Sequence, residues 1–189
     1  MARARDKDVV DLLIDQHNEI KDLFTRVVSA GGTRRHELFR DLVRLLTAHE
    51  AAEEEIVHPM ARRKIDRGDR VIRERLREER EAKHALAELV RLGPDHPEFE
   101  RKCAALAEIV IAHATQEETE EFPAMRETFP AEQLRKMAGA VRTAEAMAPT
   151  RPHPAAGESA LANMLAGPPL GIVDRIQDAL RSRRASRGG

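Results

Sequence analysis

The chain has 189 residues, of which 41% are hydrophobic and 34% charged, with a formal net charge of −1. That is enough apolar material for one domain of ordinary size plus a tail, and the mixed-sign surface points to neither nucleic acid nor an anionic membrane. With no Trp, no Tyr and a single cysteine, Cys103, aromatic base-stacking platforms are not expected, an internal disulfide is excluded, and a reducing compartment is the natural setting. No apolar run reaches signal-peptide length at the N-terminus, and none approaches the roughly 18 residues of a membrane span. A cytoplasmic location is therefore expected.

Helical periodicity runs through the chain and strand-like alternation is lacking. The first predicted helix covers about Asp8 to Ala30, with Val9, Leu13, Ile20, Leu23, Phe24 and Val27 on one side, and stops at Gly31-Gly32. The second covers about Arg34 to Arg63, with Phe39, Leu42, Leu46, Ile56, Val57 and Met60 apolar. The third, about Arg70 to Leu92, is stopped by Gly93-Pro94, and the fourth runs from Pro97 to about Met125. Four amphipathic helices with short connections predict an all-α, up-down-up-down antiparallel four-helix bundle over residues 8–128. A further helix, about Ala131 to Met147, accounts for residues 129–148. Residues 149–189 read as a Pro/Gly-containing linker and a short amphipathic segment with a basic end. That segment is a candidate for docking on the domain, on a second copy or on another protein.

One phrase occurs twice. HEAAEEEIVHPM (His49–Met60) and HATQEETEEFPAM (His113–Met125) both read His, three residues, Glu, five residues, Pro. A His and a Glu four apart on a helix lie one turn above each other and offer an imidazole nitrogen and a carboxylate to one point. At about 100° per residue, His49 and Glu53 fall at about 280° and 320° from Phe39, inside the apolar stripe. His113 and Glu117 fall at about 320° and 0° from Phe99, also inside it. His17 lies on the inward face of the first helix. His84 flanks the stripe of the third, at about 120°. His58 falls on the opposite side of the second helix and, with Glu54 and Glu55, reads as solvated. A core glutamate is costly unless paired or bound to a metal. One inward histidine per helix with two inward glutamates predicts a metal site in the bundle core, of a kind suited to iron, manganese or zinc.

The pattern His17 … His49-x-x-x-Glu53 … His84 … His113-x-x-x-Glu117, with a proline ten residues past His49 and His113, resembles the hemerythrin-like (HHE cation-binding) family, with an actinobacterial-type extension after residue 128. The resemblance covers roughly residues 8–128. It implies a four-helix bundle holding two non-haem iron ions with an oxo or hydroxo bridge. Its ligands would be His17, His49, Glu53, His84, His113 and Glu117, with Glu53 and Glu117 bridging. The chain departs from the oxygen-carrying members, which have a His-x-x-x-His pair on the third helix where this chain has Glu88, and which end the fourth-helix motif in Asp. Glu50 ranks above Glu88 as a seventh ligand. The resemblance also implies reaction with H2O2, in a catalase or peroxidase manner, or with NO or O2 in oxidative or nitrosative stress defence. The alternative is a module that senses or stores O2 or iron without turnover.

Overall fold

The structure, a computed structural model, describes residues 7–147; the predicted linker and terminal segment at 149–189 lie outside the described residues. The first helix, α1 (Val9–Ser29), is opened by a reciprocal cap. Asp8 accepts from the Asp11 backbone N–H at 2.9 Å, and the Asp11 carboxylate accepts from the Asp8 N–H at 3.3 Å. After Ser29 the chain turns back within a few residues, helped by Gly32 at φ +51°.

The second and fourth predicted helices are each one continuous helical run with a wider turn inside. The second is α2 (Gly32–Ala52), a π turn over Glu53–Val57 and α3 (His58–Lys64). The fourth is α5 (Phe99–Gln116), a π turn over Glu117–Glu121 and α6 (Phe122–Thr128). In the first turn the His58 N–H donates to the Glu53 carbonyl five residues back; in the second the Phe122 N–H donates to Glu117 in the same way. A proline follows each turn by two residues. Pro59 and Pro123 have no N–H to give and their rings clash with the carbonyl four residues earlier in a regular helix. A widened turn at that place relieves the clash while keeping the run continuous. The repeated spacing of His, Glu and Pro is thus the sequence form of a repeated π turn.

An inserted residue sets everything after it back by about 100°. Val57, His58 and Ala61 are therefore buried, and so are Phe122 and Met125. Ile56 and Met60, which a regular helix would place in the apolar stripe, are only partly buried.

The third predicted helix is α4 (Gly68–Leu92). α1 packs on α2 and α5, and α4 packs on α5 and α3, which closes a ring of four antiparallel runs. A further helix, α7 (Ala131–Met147), lies against α1, α2 and the first π turn. No helix among the described residues is long and apolar enough to cross a membrane.

Two apolar cores fill the bundle. One contains Ile20, Leu42, Leu46, Leu86, Phe99 and Leu106. The other contains Val9, Leu13, Val57, Ile72, Phe122 and Met125, and α7 completes it with Leu134, Met137, Ala138 and Val141. Along every helix the histidines and glutamates of interest fall between the two.

The turn into α4 is tight. A Cβ on Gly68 would lie 2.6 Å from the Arg62 carbonyl oxygen and 2.9 Å from that of Ala61, both fixed backbone atoms. Gly68→Ala is expected to destabilise the bundle by about 1–3 kcal/mol through this overlap. Urea unfolding should show a lower midpoint with an unchanged slope.

Candidate metal centre

Between the two cores, His17 of α1, His49 of α2, and Glu53 and Glu117 of the π turns converge. Each offers a ligand atom within 4.8 Å of the others, and all four side chains are buried. The Nε2 atoms of His17 and His49 are 3.2 Å apart. Glu53 Oε2 is 3.3 Å from His49 Nε2, and Glu117 Oε2 is 3.3 Å from His17 Nε2. The other oxygen of Glu117, Oε1, lies 3.3 Å from Nε2 of His113. Glu117 therefore faces two imidazoles on different helices with its two oxygens.

The far nitrogens of these rings explain their orientation. Nδ1 of His49 is 2.8 Å from Gln16 Oε1, Nδ1 of His17 is 2.8 Å from Glu118 Oε1, and Nδ1 of His113 is 3.1 Å from Glu78 Oε2. In the neutral ring, a proton on Nδ1 donated to these oxygens would leave the Nε2 lone pair aimed at the cluster, which is how metal-ligating histidines are held. Glu78 is in turn fixed by Arg75 at 2.9 Å, a guanidinium buried between α4 and α5 that also reaches Gln116.

The cluster is electrostatically unfinished. Both oxygens of Glu53, both of Glu117 and Nε2 of His113 are buried without a hydrogen-bond partner. Burial, and then the neighbouring Glu117 charge, push the Glu53 carboxyl well above the usual carboxylate range. Burial acts the same way on Glu117, but the facing His113 overcomes it and holds Glu117 well below that range. Burial disfavours the charged form of His113, yet Glu117 and Glu78 raise it to about 11. His49 goes the other way, down to about 3, through burial and the charge of His17. Unpartnered buried carboxylates are costly, and a cation at the converging atoms would satisfy them. The donor set fits iron, manganese or zinc.

A second group adjoins the first on the side of α4. His58 Nε2 is 2.6 Å from Glu79 Oε1 and its Nδ1 is 3.3 Å from Glu121 Oε1, all three side chains being buried. The expectation that His58 is solvated is therefore corrected. Its count of about 100° assumed a regular helix, and the π turn brings it back to about 0°. The structure does not bring His84 to the cluster. It lies exposed on α4, as its position on the flank of the stripe allowed. Glu88 is exposed too and pairs with Lys102 at 2.8 Å. Glu50 is buried, but its charge partner is Lys83 at 3.7 Å, outside the converging ligand atoms. Burial raises its carboxyl to about 8. A signal for Glu79 and Glu121 is present in the sequence. The count that sets His84 at about 120° from Ile72 sets Glu79 at about 340°, and Glu121 falls one turn after Glu117 at about 40°.

A pocket with mostly apolar walls also reaches the cluster. Ile20, Leu46, Val110 and Ala114 line it together with His17, His49 and His113.

Comparison with known proteins agrees with this geometry. Residues 8–125 match the hemerythrin HHE cation binding domain. The chain belongs to that family. A solved relative of this hemerythrin-like chain is a hemerythrin HHE cation binding domain-containing protein from Mycobacterium kansasii. The likeness has a TM-score of 0.71 at 23% identity and covers 84% of this chain and 99% of that one, which establishes the shared fold. A curated relative from Nostoc sp. (strain PCC 7120), named a DNA nickase, is 32% identical over 142 residues, which is 75% of this chain. The hemerythrin-like chain spans only 40% of that relative's length.

The geometry carries two expectations for cation binding. Gln16→Ala and Glu118→Ala release the Nδ1 atoms of His49 and His17, and each is expected to weaken divalent-cation affinity by about 10–100-fold. Calorimetric titration of the full chain checks this. The proton His113 holds below about pH 11 must also leave before Nε2 can coordinate. Affinity should rise with pH across the neutral range, with protons released on binding. Titrations in buffers of different ionisation enthalpy measure that release.

Proposed function

We propose that this hemerythrin-like chain is a non-haem di-iron protein of the cytoplasm that reacts with hydrogen peroxide, in the manner of a catalase or peroxidase, or with NO or O2. The observation that carries the reading is the pairing of a buried His/Glu cluster with a small apolar-walled pocket ending on three of its histidines. His17, His49, Glu53 and Glu117 would hold one ion. Glu53 and Glu117 would reach toward a second. Iron, when bound, supplies a redox couple and a Lewis acid.

The chain's own residues set what can react. Ile20, Leu46, Val110 and Ala114 suit a small uncharged molecule, and Lys21 and Glu50 add two ionisable groups to the same lining. Gln16, Glu118 and Glu78 keep the imidazoles from rotating away. The chain has no Tyr and no Trp to donate an electron, which favours two-electron chemistry. One peroxide is oxidised to O2 while a second is reduced to water, so two molecules of H2O2 give one of O2 and two of water.

A second reading, a sensor or store of O2 or iron without turnover, draws on the contact between α7 and the first π turn. Ligand occupancy at Glu53 would reach α7 through that contact.

The test uses the full chain loaded anaerobically with Fe(II). About two iron ions per chain are expected, with O2 evolved from H2O2. His49→Ala should lose iron and O2 release together. A stable oxygenated spectrum that reverses under vacuum, without O2 evolution, would replace the peroxide reading with the binding module.

A further inference from the structure

The His17/His49 half of the centre uses the His-x-x-x-Glu pairs of the repeated motif and the first helix; residues outside those pairs complete the other half. The structure assigns that role to His58, Glu79 and Glu121: we infer that these three hold the second cation, with Glu53 and Glu117 shared between the halves. This assignment rests on the proposal that the His17/His49 half binds a cation.

Geometry supports it first. Ligand atoms of Glu53, His58 and Glu79 lie within 4.8 Å of one another, and so do those of His58, Glu117 and Glu121. His58 is thus common to two sets, each containing one of the carboxylates that also serve His17 and His49. The three residues come from α3, α4 and the second π turn, so no single stretch of chain displays them together.

Satisfaction of polar atoms supports it next. His58 already engages Oε1 of Glu79 and Oε1 of Glu121. Oε2 of Glu79 and Oε2 of Glu121 remain buried without a hydrogen-bond partner, on side chains that are 0% exposed. An imidazolium would use both N–H groups on the two Oε1 atoms, leaving Oε2 of Glu121 without a partner and Oε2 of Glu79 with only the Lys83 ammonium at 3.7 Å. A metal ion among them has no such limit on direction and satisfies several oxygens at once.

Charge points the same way. Glu53, Glu79, Glu117 and Glu121 are all fully buried. Two protonated imidazoles, His58 and His113, would offset only two of these carboxylates, whereas two divalent cations would offset all four. Lys83 is already shared by Glu50, Glu54 and Glu79.

The second half also has its own approach. An open polar groove has His58 in its wall together with Glu54, Arg62, Asp69 and Leu76. It shares no lining residue with the apolar pocket. With one imidazole and more carboxylate than the His17/His49 half, this half is the harder site. It should discriminate less against Mn2+ and Fe2+ relative to Zn2+ than its neighbour does.

The experiment is Mn2+ binding to the metal-stripped full chain, followed by calorimetry and by electron paramagnetic resonance. The wild type should take up about two ions per chain and show the broadened signal of a coupled pair bridged by shared carboxylates. His58→Gln and Glu79→Gln should each reduce uptake to a single ion with the six-line signal of isolated Mn2+. His84→Ala should leave uptake and coupling unchanged. Circular dichroism checks that the variants keep their helix content. If either variant unfolds, the wild-type signal and Glu121→Gln, which keeps side-chain size, still decide the matter. Two coupled ions retained in His58→Gln and Glu79→Gln would overturn the assignment, as would loss of an ion in His84→Ala. Uptake of one ion by the wild type, abolished by His17→Ala, would overturn the second site while leaving the first. No uptake at all would instead remove the reading on which both depend.

Discussion

A layer of carboxylates buried between two apolar cores governs this molecule. Glu53, Glu79, Glu117 and Glu121 sit where a four-helix bundle would otherwise place leucine or phenylalanine. Removing such groups from water costs several kcal/mol each unless an opposite charge and hydrogen bonds replace the solvent. The imidazoles of His58 and His113 offset only part of the charge, and the hydrogen bonds leave many of the oxygens without a partner. The bundle is thus built around a place for cations. Membership of the hemerythrin HHE cation binding family agrees with that.

The two π turns convert this constraint into geometry. Each starts at the glutamate of a His-x-x-x-Glu pair and ends two residues before a proline. The extra residue rotates the following segment by about 100°. His49 and Glu53 project inward before the offset and His58 projects inward after it. A regular helix could show one side or the other, but not both at the same core. The same offset seats Phe122 and Met125 in the core that α7 closes.

Division of the interior is a consequence of the layer. The apolar pocket ends on His17, His49 and His113, whereas the polar groove ends on His58. Neutral small molecules and hydrated cations need different walls, since apolar surfaces exclude ions.

Periodicity within single helices was enough to establish the helical class, the order and approximate limits of the four runs, α7, and the inward placement of His17, His49, Glu53, His113 and Glu117. Which face a residue takes within one regular helix is a local property, readable from spacing alone. Glu79 and Glu121 are inward by the same count, but neither belongs to a His-x-x-x-Glu pair that would mark it as a ligand. His84, at about 120° from the apolar stripe by the same count, is exposed on α4. The burial of His58, its meeting with Glu79 and Glu121, and the diversion of Glu50 to Lys83 emerged only in the folded chain. They depend on a widened helical turn and on which long side chains meet across separate helices. Neither has a period that a single stretch of sequence can display.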